Sequence, residues 1–299
     1  RAFAGNFSFD EMEEGIDYAH QYGKKVYVTM NVFARNEDFD GMEEYILALN
    51  KMGADAVILS DPGILSLVRE TAPNLEIHLS TQANNTNWRS AMFWHTQGVK
   101  RIILARELSL TEIHGIKNNI PKSLELEAFV HGAMCMSYSG RCTISNYLSG
   151  RDANHGECPQ PCRWKYYIVE EKRPGEYMPI VEDEQGTYLF NSKDLCMLEH
   201  IPELIESGLT SLKIEGRMKT SYYVANIVAA YRMELDRYSN NPENYMFDPN
   251  SLRELKKASH RPFTTGFYFN KPVADANVYG NSSYVRGYDF VAMLLENRE

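Results

Sequence analysis

Short runs of β-branched and apolar residues recur along the chain, at 25–31, 55–60, 75–80, 101–106, 124–130 and 211–216. Their length, composition and flanking turn residues predict six strands. Between them the apolar positions change to a helical period, as in Met42, Tyr45, Ile46 and Leu49. Helix starts are marked by Ser8 with Glu11, Asp40 with Glu43, Ser109 with Glu112, and Asp61 before Pro62. Helix ends are marked by Gly23, Gly53, Gly98 and Gly208, each just ahead of the next strand, where a left-handed cap favours glycine.

A strand–helix unit that repeats every twenty to thirty residues, roughly, implies parallel pairing, because each crossover returns the chain to the same end of the sheet. A doubly wound sheet is expected to carry a Gly-rich phosphate turn after its first strand, and none of these strands is followed by one. The pattern therefore predicts an α/β fold of the (β/α)8 TIM-barrel type, with six strands visible and about two lacking at the N-terminal side. Consistent with that, the sequence opens with Arg1-Ala-Phe-Ala-Gly5, a glycine turn without a leading strand, and we expect a fragment whose start is missing. The barrel is expected over residues 1–239, with a cysteine-rich insertion over 131–190. Residues 240–299 are expected to form a linker, a short helix over 251–259 and an incomplete accessory β module.

Composition narrows the class. With 43% apolar residues over 299 positions the chain can bury a full core, which excludes disordered and fibrous classes. A net charge of −9 argues against a protein that coats nucleic acid through a broad basic face, while leaving room for a local basic pocket. Export signals and apolar runs long enough to span a membrane are missing, so a reduced, cytoplasmic chain is expected.

Four of the five cysteines, Cys135, Cys142, Cys158 and Cys162, crowd into the insertion. Thiolates gathered in a reduced chain bind soft metals. Two disulfides, a structural zinc and thiols that never meet are the plainer alternatives, and the spacing does not separate zinc from an iron–sulfur cluster. In a barrel the loops after the strand C-termini gather on the face that carries the chemistry. Delivery of four ligands to that face favours a working cofactor.

The same face is expected to receive Asn31, Ser60, Gln82, Asn84, Arg106, His131, Lys213, Glu215 and Arg217. Strand alternation puts Lys213 and Glu215 on one side of their strand, where they pair with each other or with a ligand. Arg106, Arg141, Arg163 and Arg217 are the anion-binding candidates, because the guanidinium fork matches carboxylate and phosphate. His131 is a candidate proton carrier or metal neighbour. His155 is expected at the surface, His78 as a core histidine, and Arg106 and Glu107 as an adjacent ion pair. Basic residues interleaved with Tyr147, Trp164, Tyr166 and Tyr167 give a weak sign of single-stranded RNA binding.

The motif Glu127-x-Phe-x-x-Gly132-Ala-Met-Cys135 with Gly140-x-Cys142-x-Ile-Ser145 resembles the signature of the collagenase-like peptidases, a family of unassigned catalytic type. Cys-Pro-Gln-Pro-Cys-Arg at 158–163, Asn-Ser-Lys-Asp-Leu-Cys at 191–196 and Lys-Ile-Glu-Gly-Arg at 213–217 are similar to further landmarks of that family. The resemblance runs from Arg1 to about Gly266. It implies a [4Fe-4S] cluster on Cys135, Cys142, Cys158 and Cys162, with Cys196, at an expected helix start, as the spare thiol. It also implies a tRNA-modifying branch that converts the wobble uridine to 5-hydroxyuridine with prephenate as cosubstrate. Under that reading His131, Lys213 and Glu215 are the catalytic candidates, and Arg106, Arg141, Arg163, Arg217, Gln82 and Asn84 bind substrate. The family's name suggests a peptidase instead. No His-Glu-x-x-His helix or Gly-x-Ser-x-Gly elbow supports it. A zinc-stabilised barrel that only binds RNA or protein is the third reading.

Overall fold

A computed structural model of the chain describes residues 6–135, 137–163, 167–168, 178–179, 193–270 and Tyr288. The six expected strands are present: β1 (Tyr27–Met30), β2 (Ala56–Leu59), β3 (Glu76–Leu79), β4 (Arg101–Ile103), β5 (Glu125–Ala133) and, later in the chain, Ser211–Ile214. The first five pair in chain order, all parallel, and Ser211–Ile214 pairs parallel with residues 127–131 of β5. Among the described residues the sheet is open, with β1 at one edge and, at the other side, β5 pairing both with Ser211–Ile214 and with a path that runs through residues 194–196 to residues 263–264.

The helices between strands follow the sequence signals: α1 (Phe9–Gln21), α2 (Met42–Lys51), α3 (Pro62–Thr71), α4 (Trp88–Thr96) and α5 (Leu110–Lys117). Ser8 and Glu11 close a reciprocal capping box on α1, as Ser109 and Glu112 do on α5. The Asp61 carboxylate accepts from the Gly63 and Ile64 amides at the start of α3. The expected box of Asp40 with Glu43 does not form. Gly41, in the left-handed region, is the N-cap of α2, and Asp40 instead closes the short 3-10 turn before it.

The insertion holds a short helix α6 (Ile144–Ser149) and a two-stranded antiparallel ribbon, β6 (Tyr167–Ile168) with β7 (Met178–Pro179). Cys196, expected at a helix start, lies in a strand, β8 (Asp194–Cys196), antiparallel to the end of β5. The buried Asp194 carboxylate accepts from the Arg261 amide, which fixes this segment as extended chain rather than a cap. After α7 (Ile201–Glu206), Ser211–Ile214 is β9, followed by the long α8 (Ser221–Asn240), α9 (Pro249–Leu255) and β10 (Phe263–Thr264). β10 pairs with β8, and the Tyr268 hydroxyl donates to the Phe129 carbonyl, so residues 263–268 join the main sheet while α9 packs against α8. The rest of the expected accessory module lies outside the described residues, apart from Tyr288.

Strand register decides which face is apolar. Val28, Val57, Ile77, Ile102 and Leu126, with Met30, Leu59, Leu79 and Ala128, fall on the face covered by helices and form the core. The opposite face carries Thr29, Ser60, His78, Ser80, Arg101, Glu127 and Lys213. That face also carries the buried Ala56, Ile58, Ile103 and Phe129, so it is mixed, and its polar side chains are set on an apolar floor. No helix among the described residues is long and apolar enough to cross a membrane.

Candidate functional site

A cavity of about 1000 Å³ opens at the C-terminal ends of β1 to β5 and β9. All four clustered cysteines line it, together with Asn31, Gln82, Arg106, Phe129, Lys213, Glu215 and Arg217. None of the four forms a disulfide, and Cys142 and Cys158 are near enough to Cys135 to act on it electrostatically. Burial pushes the Cys135 thiol up. Four thiols around one cavity are the donor chemistry that iron–sulfur and soft-metal sites use. Among the described residues, however, no three His, Cys, Asp or Glu side chains are drawn into a ready metal-holding group. The residues fit a cluster in kind and number, and the thiols would have to close in to bind it.

Glu107 positions the cysteine loop. Its carboxylate accepts from the Ser139 amide and the Ser139 hydroxyl, both at 2.6 Å, and Ser139 holds a left-handed conformation. Arg106 does not pair with Glu107 as expected. Its guanidinium lies over the Phe129 ring at 3.8 Å and donates to the Ala133 carbonyl at 2.9 Å, while its buried Nε has no partner. Lys213 sits over the same ring at 5.4 Å and pairs with Glu127 at 3.3 Å, not with Glu215. Glu127 is also approached by Arg101 at 3.4 Å, so one buried carboxylate is shared by two cations from neighbouring strands. The Glu215 carboxylate accepts from the Arg217 amide at 2.9 Å, and the Arg217 side chain is exposed at the rim.

His131 does not reach the cavity. A bulge in β5 shifts the register between Phe129 and His131, so His131 pairs with Ile214 and turns to the helix-covered face. There it packs among Tyr223, Tyr231 and Phe263, and burial lowers its pKa to about 3. This removes it as a proton carrier at the mouth. Gly132, one residue on, has a φ of 107°, and an added Cβ would lie 2.5 Å from the Glu215 carbonyl oxygen. Only glycine lets β5 and the end of β9 approach this closely.

Gln82 lines the cavity with its amide oxygen buried and unpartnered. Asn84, two residues on, takes the left-handed conformation that ends this turn and is not among the cavity-lining residues. Arg141 is exposed. Its Nε donates to the Gln82 carbonyl at 3.0 Å and its guanidinium lies 5.0 Å from the Phe33 ring, which ties the cysteine loop to the β3 turn. The Arg163 side chain, Trp164 and Tyr166 lie outside the described residues. Cys196 is packed beside Tyr231, with its thiol pushed up to about 11 by burial, and does not line the cavity.

Two residues at the site escaped the sequence reading. His155, expected at the surface, lines the cavity, with Nε2 at 3.0 Å from the Phe33 carbonyl and 3.6 Å from Asp38. Asn154 beside it has a buried, unpartnered side-chain oxygen. The partners of His155 lie more than a hundred positions away, the Asn154 side chain donates to the Cys142 carbonyl twelve positions back, and only the Gly156 turn and Asp152, which caps the turn through the Asn154 amide, were visible locally. His78 is fully buried against Tyr27 and Glu76, as expected.

The profile of peptidase family U32 matches residues 1–277. The tRNA hydroxylation protein P1 of Bacillus subtilis is 41% identical over all of this chain and 70% of its own length. The tRNA hydroxylation protein P of Escherichia coli is 40% identical over 87% of this chain and 65% of its own length. The 23S rRNA 5-hydroxycytidine C2501 synthase of Escherichia coli is 33% identical over 93% of this chain and 42% of its own length. The chain thus spans about two thirds of the length of the tRNA hydroxylation proteins it matches.

Proposed function

The chain belongs to peptidase family U32, and on that premise we propose that it carries the reaction site of an RNA-hydroxylating enzyme whose substrate is tRNA. The observation that carries this reading is the single cavity that collects Cys135, Cys142, Cys158 and Cys162 beside Arg106, Lys213 and Gln82. Relatives named for hydroxylation of tRNA and of ribosomal RNA cytidine support it.

The finer reading is conversion of the wobble uridine to 5-hydroxyuridine with prephenate as cosubstrate, in the cytoplasm where tRNA is found. The open parallel sheet is then most of a (β/α)8 barrel, with the reaction at the C-terminal face of its strands. Arg106, from the loop after β4, and Lys213, from β9, are stacked on Phe129 and form a cationic wall suited to a carboxylate. The Arg106 guanidinium is held there by its bond to the Ala133 carbonyl. Cys135, Cys142, Cys158 and Cys162 would hold the [4Fe-4S] cluster, which supplies one-electron chemistry when bound. Glu107 and Arg141 hold the loop that carries these thiols against the strand ends. Zinc in place of the cluster would make the same site structural. The peptidase reading would have to use His155, which shares the cavity with the thiols but has its Nε2 directed at the Phe33 carbonyl and Asp38, since His131 faces away.

The test is nucleoside analysis by mass spectrometry of tRNA from cells that lack the modification and express this chain. Appearance of 5-hydroxyuridine, lost on Lys213→Ala, supports the reading. Unchanged tRNA together with cleavage of a collagen-like substrate would replace it with the peptidase reading.

A further inference from the structure

A second cleft, of about 580 Å³, adjoins the main cavity. Cys142 and Asn154 line both. Ser139 and Gly140 line only the first and Arg141 and Thr143 only the second, so the cysteine loop passes from one to the other. Phe33, Pro62, Ala83 and Trp94 give the second cleft an apolar floor, and Arg141 and Thr143 are exposed at it. Among the described residues the only carboxylate that lines it is Asp61, whose Oδ1 is taken up by the Gly63 and Ile64 amides.

Arg141 is exposed but not loose. Its Nε donates to the Gln82 carbonyl at 3.0 Å and its guanidinium lies over the Phe33 ring at 5.0 Å. Neither anchor uses the two Nη groups, and no described residue bonds or pairs with them. Arg35 differs, since its Nη2 is already paired with Asp152. A guanidinium fixed at its inner nitrogen with its outer pair open is set to take two oxygens of one phosphate. Arg106 and Lys213 belong to the other cavity, on Phe129, so Arg141 serves a different anion.

We propose that the second cleft binds the nucleotide next to the target, its base on the apolar floor and the phosphate that joins it to the target on the Arg141 Nη groups. The proposal deepens the tRNA reading and rests on it. A small inorganic anion would use Arg141 and leave the floor unfilled, whereas a nucleotide uses both. Unpaired loop nucleotides are gripped in this way, with bases laid on aromatic side chains and guanidinium groups on the backbone. Adjacency follows from the shared walls: a strand whose target base enters the main cavity passes Cys142 and Asn154 to reach the second cleft.

The experiment is fluorescence anisotropy of this chain with anticodon stem-loop RNAs. In two of them the linkage 5′ or 3′ of the target uridine is an uncharged methylphosphonate, and in two more the nucleotide across that linkage has no base. One of the methylphosphonates is expected to weaken binding about tenfold, the loss of a charge-assisted contact. Removing the base beyond that linkage is expected to cost about tenfold as well, through lost stacking. In Arg141→Gln the methylphosphonate should cost less than about twofold, whereas Arg141→Lys, which keeps the charge, should retain part of the penalty. An Arg141 that only tethers the loop would give weaker binding of every RNA in Arg141→Gln with the linkage penalty intact, and that result overturns the proposal. Binding of both methylphosphonate RNAs, or of both abasic RNAs, as tight as that of the intact RNA also overturns it. Each of these leaves the tRNA reading standing, and failure of all the RNAs to bind overturns both.

Discussion

The strand–helix frame and the cysteine insertion are held together by different forces. In the frame, Leu59, Leu79, Ile102 and Leu126 from adjacent parallel strands are fully buried against helices, and order follows from apolar burial. The described part of the insertion, residues 134–163, contributes almost no fully buried large side chain. It is attached by polar contacts: Ser139 to Glu107, Arg141 to the Gln82 carbonyl, His155 to the Phe33 carbonyl, and Arg35 to Asp152. Such contacts fix position but add little net stability each. The frame rests on apolar burial, and under the proposed reading a bound group would add to the few contacts that hold the insertion. Two of the three non-glycine residues with positive φ among the described residues, Ser139 and Gln160, are in the insertion, and the third, Asn84, ends the turn that carries Gln82. Local strain is thus concentrated where the site is assembled.

The contrast can be broken most strongly from the frame side. Leu126→Ala, at a fully buried position of β5, should cost about 3 kcal/mol in urea denaturation, within the usual range for a large-to-small core change. Gly132→Ala acts where frame and insertion meet. The added methyl collides with the Glu215 carbonyl in an unfavourable backbone region, and a loss of about 2 to 3 kcal/mol is expected.

Acid should act on the frame as well. His131 is held neutral, with a pKa near 3 when folded against an ordinary value of 6.5. Below pH 6.5 the unfolded chain takes up a proton that the folded chain refuses, so stability falls as pH drops through the window from 6.5 toward 3. Between pH 6.5 and about 5 the loss should approach roughly 2 kcal/mol, and His131→Phe should flatten that slope. Glu107→Gln should have the smallest effect on the melt, about 1 kcal/mol or less, because it weakens charge-assisted bonds to one loop. Limited proteolysis of that variant should show faster cleavage within residues 137–163 and an unchanged frame.

Much of the frame was legible in the sequence because its signals are local. Strand alternation, the Ser8 and Ser109 boxes, and glycines 23, 53, 98 and 208 act through neighbours a few positions away, and all four glycines have positive φ. Asp40 was misread because a left-handed Gly41 can take over a cap that spacing alone assigns to its neighbour. The site was legible in its cysteines and in Arg106, Lys213 and Gln82, which strand ends deliver by periodicity. What remained hidden depended on register and distance. The β5 bulge that turns His131 away leaves no mark in residue type, Glu127 meets Lys213 only through the pairing of β5 with β9, and His155 finds Asp38 across the cavity mouth.

The most direct measurement is anaerobic reconstitution of this chain with iron and sulfide, counting iron, sulfide and zinc in the unaltered protein and in Cys135→Ser and Cys158→Ser. About four iron and four sulfide per chain, lost in both variants while the thermal melt of the frame is retained, is the predicted result. One zinc in place of iron, or an iron content indifferent to both serines, would contradict the assignment of the insertion as a cluster-holding part of an RNA-modifying site.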